Sequence, residues 1–201
     1  VSFTANPGKV TAIIGGTGSG KSTILNLIPR FYDVADGAVF LDGYDVRQMD
    51  FASIYSKIGY IPQQAFLFSG TIADNLRYGK EDATDAELWR ALEIAQAKDF
   101  VEKLPDGLYS MISQNGTNLS GGQKQRLCIA RAIVKEALFY MFDDSFSALD
   151  FATDARLRRA LKENLKNSSI LIVAQRVGTI IDADKIIVLD RGQVVGTGTH
   201  E

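Results

Sequence analysis

Eight consecutive residues carry the most direct chemistry in this chain. Gly15-Gly16-Thr17-Gly18-Ser19-Gly20-Lys21-Ser22 follows the spacing G-x-x-x-x-G-K-[ST]. In that pattern the glycines let backbone N–H groups close around phosphate oxygens, and the lysine adds a cation. Lys21 is expected to reach the β- and γ-phosphates of a nucleoside triphosphate. Ser22 is expected to ligate Mg²⁺, and Thr23 to bond a further phosphate oxygen. Such a loop works only between a strand and a helix. The apolar run Val10, Ala12, Ile13, Ile14 reads as that strand, and Ser22 to Ile28 as the helix. The helix N-terminus then adds the positive end of its dipole.

A second pattern, Leu119-Ser120-Gly121-Gly122-Gln123, comes about a hundred residues later. Ser120 with Gln123 three positions on is a capping box, opening a helix whose apolar face is Leu127, Ala130, Ile133 and Val134. An N-capped helix presenting its first N–H groups outward is also an anion site, so the motif reads both ways.

Positioning elements follow from turns and periodicity. Asp36-Gly37 and Asp42-Gly43 bracket a short strand, Ala38 to Leu41, and predict an antiparallel β-layer near the N-terminus. Thr84 with Glu87 predicts a capped helix through Ala97, with Leu88, Ala91, Leu92 and Ala95 on one apolar stripe. Asp150 or Thr153 caps a helix running to Leu165. Strands are expected at Ile170–Val173, Lys185–Leu189 and Gln193–Val195, with Arg191-Gly192 turning the last hairpin. Val1-Ser2-Phe3-Thr4 reads as a further strand.

Taken together, the phosphate loop and the Leu119–Gln123 signature resemble the nucleotide-binding domain of ATP-binding cassette transporters, over essentially the whole chain. The resemblance implies an α/β fold: a P-loop NTPase (RecA-like) core with an N-terminal antiparallel β-layer and an inserted α-helical subdomain. One domain is expected over 1–201, with the core at 1–63 and 137–201 and the helical subdomain at 64–136. ATP and Mg²⁺ are the implied cofactors. Gly15, Gly16, Thr17, Gly18, Ser19, Gly20, Lys21, Ser22 and Thr23 are the implied phosphate contacts. Ser120, Gly121, Gly122 and Gln123 would serve the γ-phosphate held by a second, facing subunit. Gln63, in Gly59-Tyr60-Ile61-Pro62-Gln63, matches the Gln that touches Mg²⁺ and the attacking water. Leu138 to Asp143 matches the apolar strand that sets Asp143 beside Mg²⁺, so the implied metal set is Ser22, Gln63 and Asp143. Ser147-Ala148-Leu149-Asp150 matches the loop crossing the dimer interface. Gln64 to Leu76 resembles exporter-type cassettes.

Two positions nearest the chemistry depart from the pattern. Asp144 stands where the family usually has the Glu that polarises water, and Gln175 where it usually has His at the γ-phosphate. Asp keeps the charge but sits roughly 1.5 Å further back, and a misplacement of about 1 Å can cost about a hundredfold in rate. Gln hydrogen-bonds but cannot become cationic or relay a proton. With Gln63 these are the expected catalytic residues, and together they suggest slow hydrolysis. Ser113-Gln114-Asn115-Gly116 likewise carries an amide where exporters often have a Glu. The combination resembles the degenerate half of a heterodimeric exporter. The implied partners are a transmembrane domain on the same polypeptide and a second nucleotide-binding domain on another chain, at the cytoplasmic face of the membrane.

Composition bounds the alternatives. The 201 residues carry a net charge of −2 with charges scattered, which argues against a nucleic-acid face. The single cysteine, Cys128, excludes an internal disulfide, and the single histidine, His200, excludes a His-based triad elsewhere. No apolar run approaches membrane-spanning length, so this stretch reads as soluble, with any membrane part outside it. An adenine-stacking aromatic usually precedes the first strand, and a helix usually follows Gly198–Glu201. The chain is therefore expected to be truncated at both ends, to grip adenine poorly and to be a weak ATPase alone. A soluble repair-type cassette would carry a long coiled coil, and a translation-associated one a tandem cassette. A purely regulatory module that clamps ATP stays open alongside the exporter reading.

Overall fold

A computed structural model describes residues 1–200. In chain order the strands and α-helices are β1 (Val10–Gly15), α1 (Lys21–Leu27), β2 (Phe40–Leu41), β3 (Tyr44–Asp45), α2 (Phe51–Lys57), β4 (Ile58–Ile61), β5 (Gly70–Thr71), α3 (Ile72–Arg77), α4 (Asp85–Ile94) and α5 (Lys98–Val101). They continue as β6 (Met111–Ile112), α6 (Gly121–Val134), β7 (Phe139–Asp143), α7 (Phe151–Asn164), β8 (Ser169–Ala174), α8 (Val177–Ile180), β9 (Lys185–Asp190) and β10 (Gln193–Gly198).

The chain divides into two compact units. The first holds Val1–Tyr60, Ala137–Asp144 and the stretch from Asn167 onward; the second holds Ile61–Glu136 and Ser145–Lys166. Residues 145–166 thus group with the helical unit, whereas the sequence reading assigned them to the core. Their helix α7 packs on α4 and buries Leu157 and Leu161, which accounts for the grouping.

The first unit is built on a sheet in the order β10-β9-β1-β8-β7-β4. β9, β1, β8 and β7 run parallel, and β10 returns antiparallel to β9. Every residue of β8, Ser-Ile-Leu-Ile-Val-Ala, is buried, as parallel strands covered on both faces require. The core gathers Ile13, Leu25, Ile54, Met141, Leu171 and Ile187, among others. Because β1, β7 and β8 are parallel and in register (Ile13↔Val173, Asp143↔Val173), Gly15, Asp143 and Ala174 end at the same edge. Ligands of open α/β sheets bind at that carboxyl edge.

The antiparallel layer amounts to one small hairpin, Phe40↔Asp45 and Leu41↔Tyr44. Its turn residues Asp42 and Gly43 both take positive φ, 54° and 82°, as a tight type I′ turn demands. Val1–Thr4, expected as a strand, joins no ladder among the described residues. Lys185 Nζ donates to the Thr4 carbonyl and Ser169 Oγ to that of the following Ala5, while Phe3 tucks against the core.

In the second unit, α4 starts at its predicted capping box but stops at Ile94, short of Ala97. Gln96 enters the left-handed region (φ 59°). The N–H of Ala97 then bonds the carbonyl of Leu92 and that of Gln96 the carbonyl of Glu93, the paired closure that ends helices. Among the described residues no helix is long and apolar enough to cross a membrane.

Candidate nucleotide site

Between β1 and α1 the chain turns through a loop that glycine alone can follow without strain. Gly18 and Gly20 sit at φ 77° and 100°, where a β-carbon is penalised. Gly15 is required for another reason: a β-carbon there would run into the Leu189 carbonyl and the Ser19 hydroxyl. Gly20 precedes α1 with no side-chain cap, so the first-turn N–H groups have no side-chain acceptor there. Lys21 is buried beneath the loop and donates to the carbonyls of Gly15 (2.6 Å) and Gly16 (2.7 Å). Thr17, Gly18, Ser22 and Thr23 are exposed, while Ser19 is buried. The last hairpin braces the loop, because Gly192 N–H donates to the Ser19 carbonyl at 2.9 Å. In the linear pattern Arg191-Gly192 carries only a turn signal.

Asp143 closes β7 and Asp144 follows it at φ 46°, a left-handed conformation that Asp tolerates better than most residues. Asp144 N–H bonds the Val173 carbonyl at 2.8 Å. Burial and then the adjacent Asp144 push the Asp143 carboxyl above its ordinary range, against the pull of the Tyr60 hydroxyl and Lys21. Burial also raises Asp144, opposed by the Gln175 backbone N–H, Arg176 and Lys21. Gln175, just beyond β8, is exposed, and its main chain holds the Asp144 carboxylate. Two desolvated neighbouring carboxylates favour a nearby cation. Mg²⁺ is commonly held by one or two carboxylates together with substrate phosphates rather than by an all-protein cage. Asp143 with the exposed Ser22 hydroxyl has that donor chemistry.

Gln63 and the Ser120 motif belong to the helical unit. Gln63 is exposed two residues past β4, and the chain around it is tied to α6. Gln125 Nε2 donates to the Pro62 carbonyl (3.2 Å), and both Cys128 Sγ (3.4 Å) and Arg131 Nη2 (2.9 Å) donate to that of Phe66. Positions 125, 128 and 131 recur every third residue and share one helix face. Ser145 Oγ adds a bond to the Ile61 carbonyl at 2.7 Å. Nothing in the linear pattern announced these ties, apart from polar residues set into an apolar helix.

The capping box at α6 forms in both directions. Gln123 N–H donates to Ser120 Oγ (3.2 Å) and Ser120 N–H to Gln123 Oε1 (2.9 Å). Ser120 and Gly121 are exposed, and Gly122 lies against Ala148 and Leu149 of the following loop. Asp150 then caps α7 through Thr153 N–H at 2.9 Å.

A glycine-cornered loop between a central parallel strand and a helix, with a carboxylate pair on the same sheet edge, defines a P-loop nucleotide-binding domain. The profile of the ABC transporter family matches residues 1–147, and the chain belongs to that family, whose ATP-binding domains are ATPases. It is 50% identical, over 100% of its length, to an uncharacterised ABC transporter ATP-binding protein of Mycobacterium tuberculosis, covering 35% of it. It is 46% identical over 98% of its length to the mitochondrial iron–sulfur clusters transporter of Kluyveromyces lactis, covering 28%. It is 40% identical over 100% of its length to the ATP-dependent lipid A-core flippase of Syntrophus aciditrophicus, covering 33%. A solved bacterial Atm1-family ABC exporter with ATP bound superposes with a TM-score of 0.95 at 37% identity, over 100% of this chain and 35% of that one. The chain spans about a third of the length of these relatives.

Proposed function

We propose that the chain binds Mg-ATP and uses ATP-driven dimerisation to power a membrane exporter, with slow hydrolysis at its own site. The observation that carries the reading is the phosphate loop, whose Gly15, Gly18 and Gly20 are glycine by geometric necessity and whose buried Lys21 is aimed along the loop. Gly16, Thr17, Ser19, Ser22 and Thr23 complete the phosphate contacts. Asp143, Ser22 and Gln63 hold Mg²⁺, which supplies charge neutralisation at the phosphates. Asp144 and Gln63 orient the attacking water, and Gln175 hydrogen-bonds the γ-phosphate. Slow turnover is supported by Asp144, which is shorter than Glu and engaged by the Gln175 backbone. Gln175 can donate a hydrogen bond but cannot take up and relay a proton.

Ser120, Gly121, Gly122 and Gln123 act on the nucleotide of a second nucleotide-binding domain on another chain. The names of the relatives support export across a membrane, and their greater length supports a transmembrane domain on the same polypeptide; this domain then lies on the cytoplasmic side. The scattered charge supports a role away from nucleic acid. A module that clamps ATP without turnover is the second reading, favoured by the same Asp144–Gln175 contact.

Calorimetry with Lys21→Ala tests the site: the folded variant should lose most of its Mg-ATP affinity, and unchanged affinity would refute the loop assignment. Turnover tests the rate. General-base catalysis is worth about 10²–10⁴-fold, so Asp144→Glu with Gln175→His should raise hydrolysis well above that of the native chain. A native turnover near the common enzyme value of about 10 s⁻¹ would sink the slow-site reading.

A further inference from the structure

Tyr60 places a phenol hydroxyl beside the carboxylate pair. It lies on β4, the strand next to β7 in the sheet, and its hydroxyl approaches Asp143 Oδ2 to 3.5 Å. A phenol facing an ionised carboxylate can only donate, since the carboxylate only accepts. The ring is held from the side by Phe31, edge-on with centroids 6.3 Å apart and planes at 82°, and it packs half-buried against the sheet core. Phe31 is in turn against Tyr55 at 6.5 Å, and Tyr55 stacks on Phe51 at 5.8 Å. The hydroxyl is therefore a donor whose position is set before any ligand arrives, and preorganised donors cost no reordering at the moment of binding.

We propose that Tyr60 is a positioning residue for Asp143: its hydroxyl holds the carboxylate in the orientation that meets the metal ion of a bound nucleotide, and so sets the metal-dependent share of nucleotide affinity. The inference rests on Asp143 being the metal-side carboxylate. A residue that merely filled the sheet edge would need the ring and not the oxygen. The 3.5 Å separation is long for an O–H···O contact, so the effect is a modest multiple and not an abolition.

The test is Tyr60→Phe in the full chain, which keeps the ring and its packing on Phe31 and deletes the hydroxyl. ADP binding is measured by calorimetry in chelator and across a Mn²⁺ series, with the Mn²⁺ resonance spectrum of the bound complex as an independent readout. The variant should match the native chain within about twofold in chelator. Its half-saturating Mn²⁺ should rise about three- to tenfold, less than a short hydrogen bond to a charged group would give because the contact is long, and its Mn²⁺ spectrum should broaden. Equal Mn²⁺ requirements would overturn the proposal, and so would an equal loss with and without metal. Tyr60→Leu, which removes the ring as well, should add a lower melting temperature to the same metal defect; a melting defect without the metal defect would also overturn it. A native chain whose ADP affinity ignores Mn²⁺ would overturn the Asp143 assignment itself, a failure distinct from a Tyr60→Phe variant that matches a metal-dependent native chain.

Discussion

Gly15 and Gly16 are neighbours with identical side chains and opposite constraints. A β-carbon on Gly15 meets the Leu189 backbone carbonyl, which cannot swing aside, whereas one on Gly16 meets nothing within 4 Å. Gly15→Ala should therefore push the loop off β9 and destabilise the chain by about 1–3 kcal/mol, the usual cost of overpacking. Gly16→Ala should stay within about 0.5 kcal/mol in stability. Thermal unfolding of the two variants side by side decides it, and equal melting temperatures would mean the loop is less tightly seated on β9. The same reasoning separates Asp144 from Asp143. Both are raised by burial, but Asp144 is anchored by main-chain bonds at a left-handed position while Asp143 is met by the Tyr60 hydroxyl.

Helix α4 is set by its first turn. Glu87 reaches back to Thr84 N–H at 2.7 Å, and Lys80 Nζ approaches it at 2.6 Å. These donors, Lys80 first and Thr84 next, lower the Glu87 carboxyl to about 2. A carboxyl depressed in the folded state stabilises the fold above its ordinary range, and that contribution fades as pH falls from about 4.5 toward about 2. Glu87→Gln should thus melt lower than the native chain at neutral pH, with the gap closing as pH drops through that window. A gap that is constant down to pH about 2 would show that the charge does not matter there. Thr84→Ala, which removes the cap itself, should cost about 1 kcal/mol at neutral pH. Helix α6 is an element of a different kind. Its Gln125, Cys128 and Arg131 bind carbonyls of the Pro62–Phe66 segment, so the stretch carrying Gln63 and the helix opened by Ser120 form one piece of the helical unit.

At the scale of the whole molecule, the chain pairs a fully formed Ser120–Gln123 capping box with Asp144, the carboxylate of the site proposed above to be slow. If the motif serves a partner's nucleotide, Ser120→Arg should leave ATP binding to the isolated chain nearly unchanged. In a reconstituted heterodimer it should strongly cut hydrolysis at the partner's site, because a bulky cation at the exposed cap blocks closure over that nucleotide. The measurement is the ATPase rate of the mixed dimer with the substitution in either half. A harmless Ser120→Arg here with a crippling equivalent in the partner would reverse the assignment of the two sites.

How much of this was legible in the residues follows from the range of each interaction. The phosphate loop, the Ser120–Gln123 and Thr84–Glu87 capping boxes, the Asp150 cap and the buried run of β8 are local: each depends on residues within a few positions, and the linear pattern names them. The end of α4 at Gln96 and the missing ladder at Val1–Thr4 were not legible. A glutamine in the left-handed region has no compositional signal, and a strand exists only where a neighbour pairs with it. The Asp143–Tyr60 approach and the Gly192–Ser19 brace join residues separated by 83 and 173 positions. The ties of Gln125 and Arg131 span 63 and 65. By itself the sequence determined the family, the glycine loop between β1 and α1, and the starts of α1, α4, α6 and α7. Tertiary structure alone decided what braces that loop, what grips Asp143 and Asp144, and which helix holds the segment carrying Gln63, because hydrogen bonds between distant segments exist only after the sheet and the helical unit have folded.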